Sequence, residues 1–500
     1  MVASEAVPLA KTGGLADVVG ALSRELVRLG HDVKLVLPRY KDFGDLVKDL
    51  AEIRTIQVPA TPVPLEVTIE TGTLNDVSLL LLRYDLFFAR AGLYGEAGTD
   101  YPDNLARFAL FARAAFEACQ TLNWKPDVLH AHDWQASLAV VYLKTQYQSD
   151  ARWASCRSLF TIHNMGYQGI FPATEFVRTG LPWSEYTPDR LEFFGQVNLL
   201  KGGIVYADLL NTVSPTYARE IQMPQFGYGL EGVLQTRKER LFGIINGIDY
   251  EHWNPTSDPY LPSRYTVRDL AGKKRCKTAL QREMKLAVRS VPLIGLVSRL
   301  VAQKGIDLIL DILPDLLALD VQMVVLGSGE AASEGRLTAL QDRFPKTFAV
   351  RLGFNEALAH RIEAGADMFL MPSRYEPCGL NQLYSLAYGT VPIVRKTGGL
   401  ADTVVPYVPG AKNGKGTGFV FESPHPEVLF GTILLALQVF RDKEEWKRIM
   451  LRGMRQDFSW RQSAQEYVKL YERALALNQA VMARPVDTFP RMRFRGIGPR

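Results

Sequence analysis

Short apolar runs alternate with longer amphipathic stretches along most of this chain. Val33-Lys34-Leu35-Val36-Leu37-Pro38 reads as a buried strand. It follows a helical pattern that Leu22 to Leu29 continues and Gly30 stops. Ile53 to Leu82, rich in Val, Thr, Ile and Leu, predicts strands and hairpins whose pairing the spacing does not assign. Asn104 to Leu122 carries Phe108, Phe111, Ala115 and Cys119 at helical spacing. Asp127–His130, Ser158–Ile162, Ala207–Val213 and Leu241–Ile245 predict further strands. A turn, Asn246-Gly247-Ile248-Asp249, then opens a stretch rich in proline and charge that reads as a linker, with Pro255, Pro259 and Pro262 close together. From Pro292 the pattern resumes. Leu293–Val297, Gln322–Leu326, Ala349–Leu352, Met368–Met371 and Val391–Val394 alternate with helical segments, which predicts a parallel sheet covered on both faces. The expectation is an α/β chain of two Rossmann-like domains, 1–248 and 249–478. The last helix, from Trp460 to about Leu477, is expected to pack back across the boundary. The tail 479–500, with Arg484, Arg491, Arg493, Arg495 and Arg500, is expected to be mobile.

Composition narrows the classes. With 500 residues the chain is too long for one core. No apolar run approaches the roughly 18 residues that span a bilayer, so no membrane association is expected. A net charge of +5 is too small an excess for a nucleic-acid binder, yet suits an anionic small substrate if the cations cluster. Cys119, Cys156, Cys276 and Cys378 form no CxxC pair, so free thiols in a cytoplasmic setting are expected. The start, Met1-Val2-Ala3-Ser4-Glu5, lacks the basic and apolar regions of a signal peptide. Only Met1 to Ala3 could belong to a strand before the first Gly-rich turn, so the chain reads as beginning inside its first strand.

The candidate chemistry collects around one heptapeptide, Lys11-Thr12-Gly13-Gly14-Leu15-Ala16-Asp17, which recurs as Lys396-Thr397-Gly398-Gly399-Leu400-Ala401-Asp402. Two glycines allow a tight turn and close approach to a ligand. The helix that follows offers free N–H groups and a positive dipole end, and Lys11 adds a full charge, which together suit a phosphate or diphosphate. The two copies are expected to face each other across one cleft. Ligands of open parallel sheets bind beyond the carboxyl ends of strands. Those ends here carry Ser298-Arg299 with Lys304, Gly327-Ser328-Gly329, Gly353-Phe354, Ser373-Arg374-Tyr375-Glu376-Pro377-Cys378-Gly379-Leu380, and Thr397-Gly398-Gly399. Lys11, Arg299 and Lys304 are candidates for holding a departing diphosphate, because fixed cations aimed at developing negative charge lower the barrier. Glu376 can address hydroxyls, and the competing reading is a helix N-terminal glutamate. Phe354 can stack on a nucleobase or fill a core. His130 and His132 share one side of a strand. Lacking evident third and fourth ligands, they read as core or cleft histidines and not as a metal site; His163-Asn164 is the better cleft candidate.

On these residues the chain resembles bacterial glycogen synthases and plant starch synthases. The motifs are the first heptapeptide, His130-Ala-His-Asp-Trp134, Thr161-Ile-His-Asn164, Ser214-Pro-Thr-Tyr-Ala-Arg-Glu220, Asn246-Gly-Ile-Asp249, Ser298-Arg-Leu300 with Gln303-Lys304-Gly305, Ser373–Gly379 and the second heptapeptide. The resemblance implies a GT-B fold, with two Rossmann-like domains facing across a deep cleft. It implies transfer of glucose from ADP-glucose to the non-reducing end of an α-1,4-glucan, glycogen or starch, with retention of configuration. No metal or other cofactor is implied. Cytoplasmic residence follows for a bacterial enzyme, plastid stroma for a plant one. By position in these motifs, Lys11 and Gly14 correspond to donor contacts and Arg299 with Lys304 to the phosphate-binding pair. Glu376, beside Cys378 and Gly379, corresponds to the carboxylate on the donor glucose. His163 corresponds to the residue whose backbone carbonyl lies near the anomeric centre. Phe354 corresponds to the aromatic on adenine. Asp133, Asn164 and Asn246 correspond to further cleft positions, and Asp17 and Tyr94 to the acceptor side. Tyr384 stands where broader glycosyltransferase patterns carry a second glutamate, and Asn381 where a threonine is common near the donor phosphates. The rivals are another nucleotide-sugar transferase on this scaffold and an inactive glucan-binding protein.

Overall fold

The computed structural model describes residues 1–41, 43, 46–96, 98–411 and 414–477, so the basic tail lies outside the described residues. The strands Val128–His132, Arg157–Ile162, Leu209–Thr212 and Leu241–Gly243 run parallel in that spatial order. A second group, Lys34–Pro38, Val77–Arg83, Leu65–Leu74 and Lys48–Val58, lies beside them. Met1–Ala3 joins the two groups. The Val2 N–H donates to the His130 carbonyl at 2.8 Å, and the Val36 N–H donates to the Met1 carbonyl at 2.8 Å.

The pairing that spacing left open is a meander. Lys48–Val58, Leu65–Leu74 and Val77–Arg83 are antiparallel, and the last runs parallel to Lys34–Pro38. The first sheet is therefore mixed. Its tight hairpin rests on Asn75 and Asp76, both at positive φ (48° and 68°), the conformation a two-residue hairpin loop needs and short polar side chains tolerate.

The second sheet has six parallel strands in the order Phe348–Leu352, Gln322–Gly327, Leu293–Val297, Met368–Met371, Val391–Arg395 and Phe419–Phe421. The last, three residues long, is too short for periodicity to reveal. Strand order reverses between Leu293–Val297 and Met368–Met371, the kind of switch point beyond which open parallel sheets bind ligands. The helix Ile306–Leu317 shows how the sheet is covered: Ile309, Leu313 and Leu316 are buried while Asp311 and Asp315 face out.

The helix Trp460–Leu475 packs on the first sheet. Ala464, Tyr467, Leu470 and Ala474 are buried in that sheet's core. The Tyr471 hydroxyl lies 2.8 Å from His130 Nδ1, and the Ser463 hydroxyl donates to the Ile245 carbonyl at 2.7 Å. The chain thus crosses between the sheets twice, and the crossings touch: the Ile248 N–H donates to the Phe458 carbonyl at 2.8 Å. A Cβ on Gly247 would meet the Trp460 nitrogen at 2.5 Å, so glycine is needed there.

Candidate active site

The first heptapeptide opens the helix Gly14–Arg28, which buries Leu15, Val18, Val19, Leu22 and Leu26. Its turn is held from behind by Glu5, a buried carboxylate that accepts the Thr12 N–H at 2.5 Å, the Thr12 hydroxyl at 2.7 Å and the Tyr94 hydroxyl at 2.5 Å. The Ser4 hydroxyl lies 2.7 Å from the Tyr94 oxygen. Tyr94 therefore positions the turn through Glu5. Among the described residues, nothing stands within 4 Å of a Cβ built on Gly13 or Gly14, so the N-terminal end of this helix is open. Lys11 pairs with Asp17 at 2.8 Å. Burial pushes the Asp17 carboxyl above its usual range, with Lys11 opposing.

The next wall comes from the ends of Val128–His132 and Arg157–Ile162. Asp133 sits at φ 54°, a strained conformation for a residue bearing a side chain. Its carboxylate accepts the His163 N–H at 2.7 Å, and burial pushes the carboxyl up to about 8 despite that bond. His163 Nε2 lies 3.0 Å from His132 Nδ1, and burial lowers the His163 imidazole to about 3, so the ring is neutral at ordinary pH. His130 is engaged at both ring nitrogens, by Tyr471 and by Thr161 at 2.7 Å, so it is structural, whereas His132 Nε2 is buried without a hydrogen-bond partner among the described residues. Asn164 Oδ1 accepts the Gly166 N–H at 2.9 Å. Asn246 is buried, and its Oδ1 has no hydrogen-bond partner among the described residues.

Two adjacent strand ends of the second sheet meet at a charge pair. Lys304 donates to Glu376 Oε2 at 2.6 Å, and the Ser373 hydroxyl donates to the same oxygen at 2.9 Å. Glu376 is 6% exposed. Gly305, at φ 68°, lets the two loops close: a Cβ there would meet the Pro372 carbonyl at 2.2 Å. Arg299 is exposed beside this pair and donates to Gln303 Oε1 at 3.1 Å. Gly379 takes φ 71°, and Leu380 precedes the helix Asn381–Tyr388. Cys378 is buried in the first sheet's core, where its thiol meets the Asn246 backbone N–H and burial pushes it up to about 12, which makes it no nucleophile. The Asn381 side chain donates to the Val297 carbonyl at 2.7 Å. That amide ties the helix to the strand. Phe354, following Gly353 at φ 101°, is 91% exposed, which excludes the core reading.

The second heptapeptide does something else. Glu220 accepts the Thr397 hydroxyl at 3.0 Å and the Gly398 N–H at 3.1 Å, while Asp402 accepts the Thr216 N–H and hydroxyl, both at 2.7 Å. A Cβ on Gly398 would meet the Glu376 carbonyl at 1.9 Å, and one on Gly399 the Cys378 carbonyl at 2.1 Å. This copy is buried behind the Glu376 loop and fastens it to the Ser214–Glu220 segment, where the Ser214 hydroxyl also donates to the Pro377 carbonyl at 2.6 Å. The two copies therefore differ: the first is an open turn, and the second is already filled by a carboxylate. Lys396 pairs at the surface with Glu422 at 2.7 Å. Glu5 and Glu220 escaped the sequence reading, although each Thr-Gly turn needs an acceptor and both glutamates stand in quoted motifs or beside one.

The first sheet thus offers an open helix N-terminus with Lys11 beside it, and the second offers Arg299 and the pair of Lys304 with a buried carboxylate at its strand ends. A family model described as "Starch synthase catalytic domain" matches residues 1–236, and one described as "Glycosyl transferases group 1" matches residues 280–448. A glycogen synthase of Syntrophotalea carbinolica is 46% identical over 486 residues, covering 96% of this chain and 99% of the relative. One of Myxococcus xanthus is 46% identical over 478 residues, covering 95% and 99%. Among solved structures, the catalytic domain of starch synthase IV from Arabidopsis thaliana, bound to ADP and acarbose, superposes with a TM-score of 0.87 at 34% identity, covering 95% of this chain and 99% of that one. Sucrose-phosphate synthase from Thermosynechococcus elongatus, at 16% identity and a TM-score of 0.60, shares the fold. The chain belongs to the glycogen and starch synthase family of GT-B glucosyltransferases.

Proposed function

We propose that the protein moves glucose from ADP-glucose to the non-reducing end of an α-1,4-glucan with retention of configuration. The observation that carries the reading is the 2.6 Å pair of Lys304 and buried Glu376 beside Arg299. It sets cations for a leaving diphosphate against a carboxylate for sugar hydroxyls. The Arabidopsis neighbour's bound ADP and acarbose support a nucleotide and a glucan-like chain as its ligands.

In this reading the diphosphate sits between the open N–H groups at Gly13 and Gly14 and the cations of Lys11, Arg299 and Lys304. Phe354 stacks on the base. Gly379, Leu380 and the backbone N–H of Asn381 face the phosphates, and Cys378 with Asn246 seals the floor. Glu376 holds the donor glucose, the His163 carbonyl faces the anomeric carbon, and Asp133 fixes the His163 backbone. Asp17, Tyr94 and Asn164 shape the acceptor side. As the bond from the anomeric carbon to the diphosphate breaks, the departing phosphate oxygen takes the proton from the acceptor hydroxyl entering on the same face. The new glycosidic bond forms there, which retains configuration. Three fixed cations supply the charge neutralisation, so the transfer needs no metal. A covalent intermediate is the competing route, and the Cys378 thiol, buried and pushed up to about 12, does not recommend it.

The test supplies ADP-glucose or UDP-glucose with glycogen or maltooligosaccharides and measures released nucleoside diphosphate. Faster release from ADP-glucose, with oligosaccharides lengthened by one unit, is expected. Glucan binding without turnover, or transfer to fructose or lipid instead, would overturn the reading.

A further inference from the structure

We infer that His252, Glu356 and His360 form a binding site for a transition-metal dication of the zinc class, separate from the transfer chemistry. Ligand atoms of the three side chains lie within 4.8 Å of one another. Glu356 and His360 stand four residues apart in the helix Glu356–Gly365, so they share one face. His252 reaches them from the segment just past the Asn246-Gly247-Ile248-Asp249 turn, with Nε2 at 3.0 Å from Glu356 Oε1.

The second observation is the state of His360. Its ring is fully buried, stacked on Trp253 at 3.7 Å between centroids. Nδ1 donates to Asp258 Oδ2 at 2.8 Å, and that oxygen is fixed by the Tyr388 hydroxyl at 2.5 Å. The bond needs a proton on Nδ1, which in the neutral ring leaves the lone pair on Nε2. Nε2 is buried and has no hydrogen-bond partner among the described residues. A carboxylate on the far ring nitrogen is the arrangement that orients a metal-ligating histidine and raises its basicity. A buried acceptor left without a donor costs free energy that a cation would return. Two imidazoles and one carboxylate, with a fourth position open to water on the exposed His252 and Glu356 side, match zinc in donor type and number.

The position gives the site a consequence. Trp253 also stacks on Tyr384 at 3.8 Å, so the segment that carries His252 lies against the helix Asn381–Tyr388. A bound ion fastens that segment to the helix beginning two residues after Phe354.

The experiment titrates cobalt(II), then zinc(II), into untagged, chelator-stripped full-length protein. It follows the cobalt ligand-field band and the thermal midpoint. One cobalt per chain is expected, displaced by zinc, with zinc raising the midpoint. His252→Ala and Glu356→Gln, both at half-exposed positions, should each weaken binding on the order of tenfold or more. They should abolish the zinc-induced rise while the metal-free midpoint stays that of the parent. No band, or binding that survives both substitutions, overturns the site; so does binding that thiol alkylation removes, since it would place the ion on cysteine.

Discussion

Lys304 and Glu376 compensate each other's burial. Removing the lysine leaves a carboxylate with one remaining hydroxyl donor, from Ser373. Lys304→Ala should lower kcat on the order of a hundredfold or more, because a fixed charge aimed at the leaving group is lost. Its thermal midpoint should shift by only a few degrees. Equal turnover in the variant, by steady-state kinetics, would remove the assigned role. Phe354 offers the complementary case. At 91% exposure it contributes little to folding, so Phe354→Ala should raise KM for the nucleotide sugar roughly tenfold through lost stacking. Its kcat and thermal midpoint should stay unchanged. The buried ionisable groups predict pH dependence with opposite signs. The Asp133 carboxyl, raised to about 8, keeps a proton that the unfolded chain releases above about 4. Its contribution is therefore fully present below that pH and is lost as pH rises through about 8. His163, lowered to about 3, refuses a proton that the unfolded chain takes below about 6.5, so its contribution is lost as pH falls through about 3. Asp133→Asn should flatten the decline of thermal midpoint toward alkaline pH, and His163→Gln the decline toward acid.

At the scale of elements, the two heptapeptides have identical letters and opposite surroundings. Around Gly13 and Gly14 there is open space, whereas Gly398 and Gly399 are pressed against the backbone of the Glu376 loop. Gly13→Ala, at φ −157°, should therefore fold normally and bind the donor less well, because the added methyl enters the ligand's space. Gly399→Ala should lower the thermal midpoint and the activity together, because the Cys378 carbonyl must move and Glu376 moves with it. Calorimetry beside donor kinetics separates the two outcomes. Sequence could find both turns, since glycine pairs before an amphipathic helix are local signals. It could not tell them apart. What fills the second turn is Glu220, and its hydrogen bonds to Thr397 and Gly398 span 177 and 178 residues. Glu5 is only seven residues from Thr12 and still gives no signal, because the apolar segment before it is too short to show a period. The strand ends of the second sheet were legible for the reason the first heptapeptide was: buried parallel strands are continuous apolar runs, and polar motifs mark their ends. Position at a helix start does not tell which way a side chain turns, and the Asn381 amide turns to the Val297 carbonyl.

Across the whole molecule, the halves are joined by polar bonds as well as by apolar packing. Ser214, Thr216 and Glu220 bind the Pro377, Asp402 and Thr397-Gly398 groups, and the crossing chain is braced by Arg24 against Asp249 and Glu251, each at 3.2 Å. The same contacts that dock the halves support the loop carrying Glu376. In the proposed transfer, the charge pair at the second sheet and the open turn at the first act on one glucosyl group. The most direct measurement gives the enzyme ADP-glucose labelled with carbon-13 at the anomeric carbon, together with a maltooligosaccharide, and follows that carbon by NMR. The expected result is one new α-1,4 linkage at the non-reducing end for each ADP released, with Lys304→Ala leaving the donor largely intact. A β linkage, free labelled glucose without chain growth, or an unimpaired Lys304→Ala variant would contradict the account.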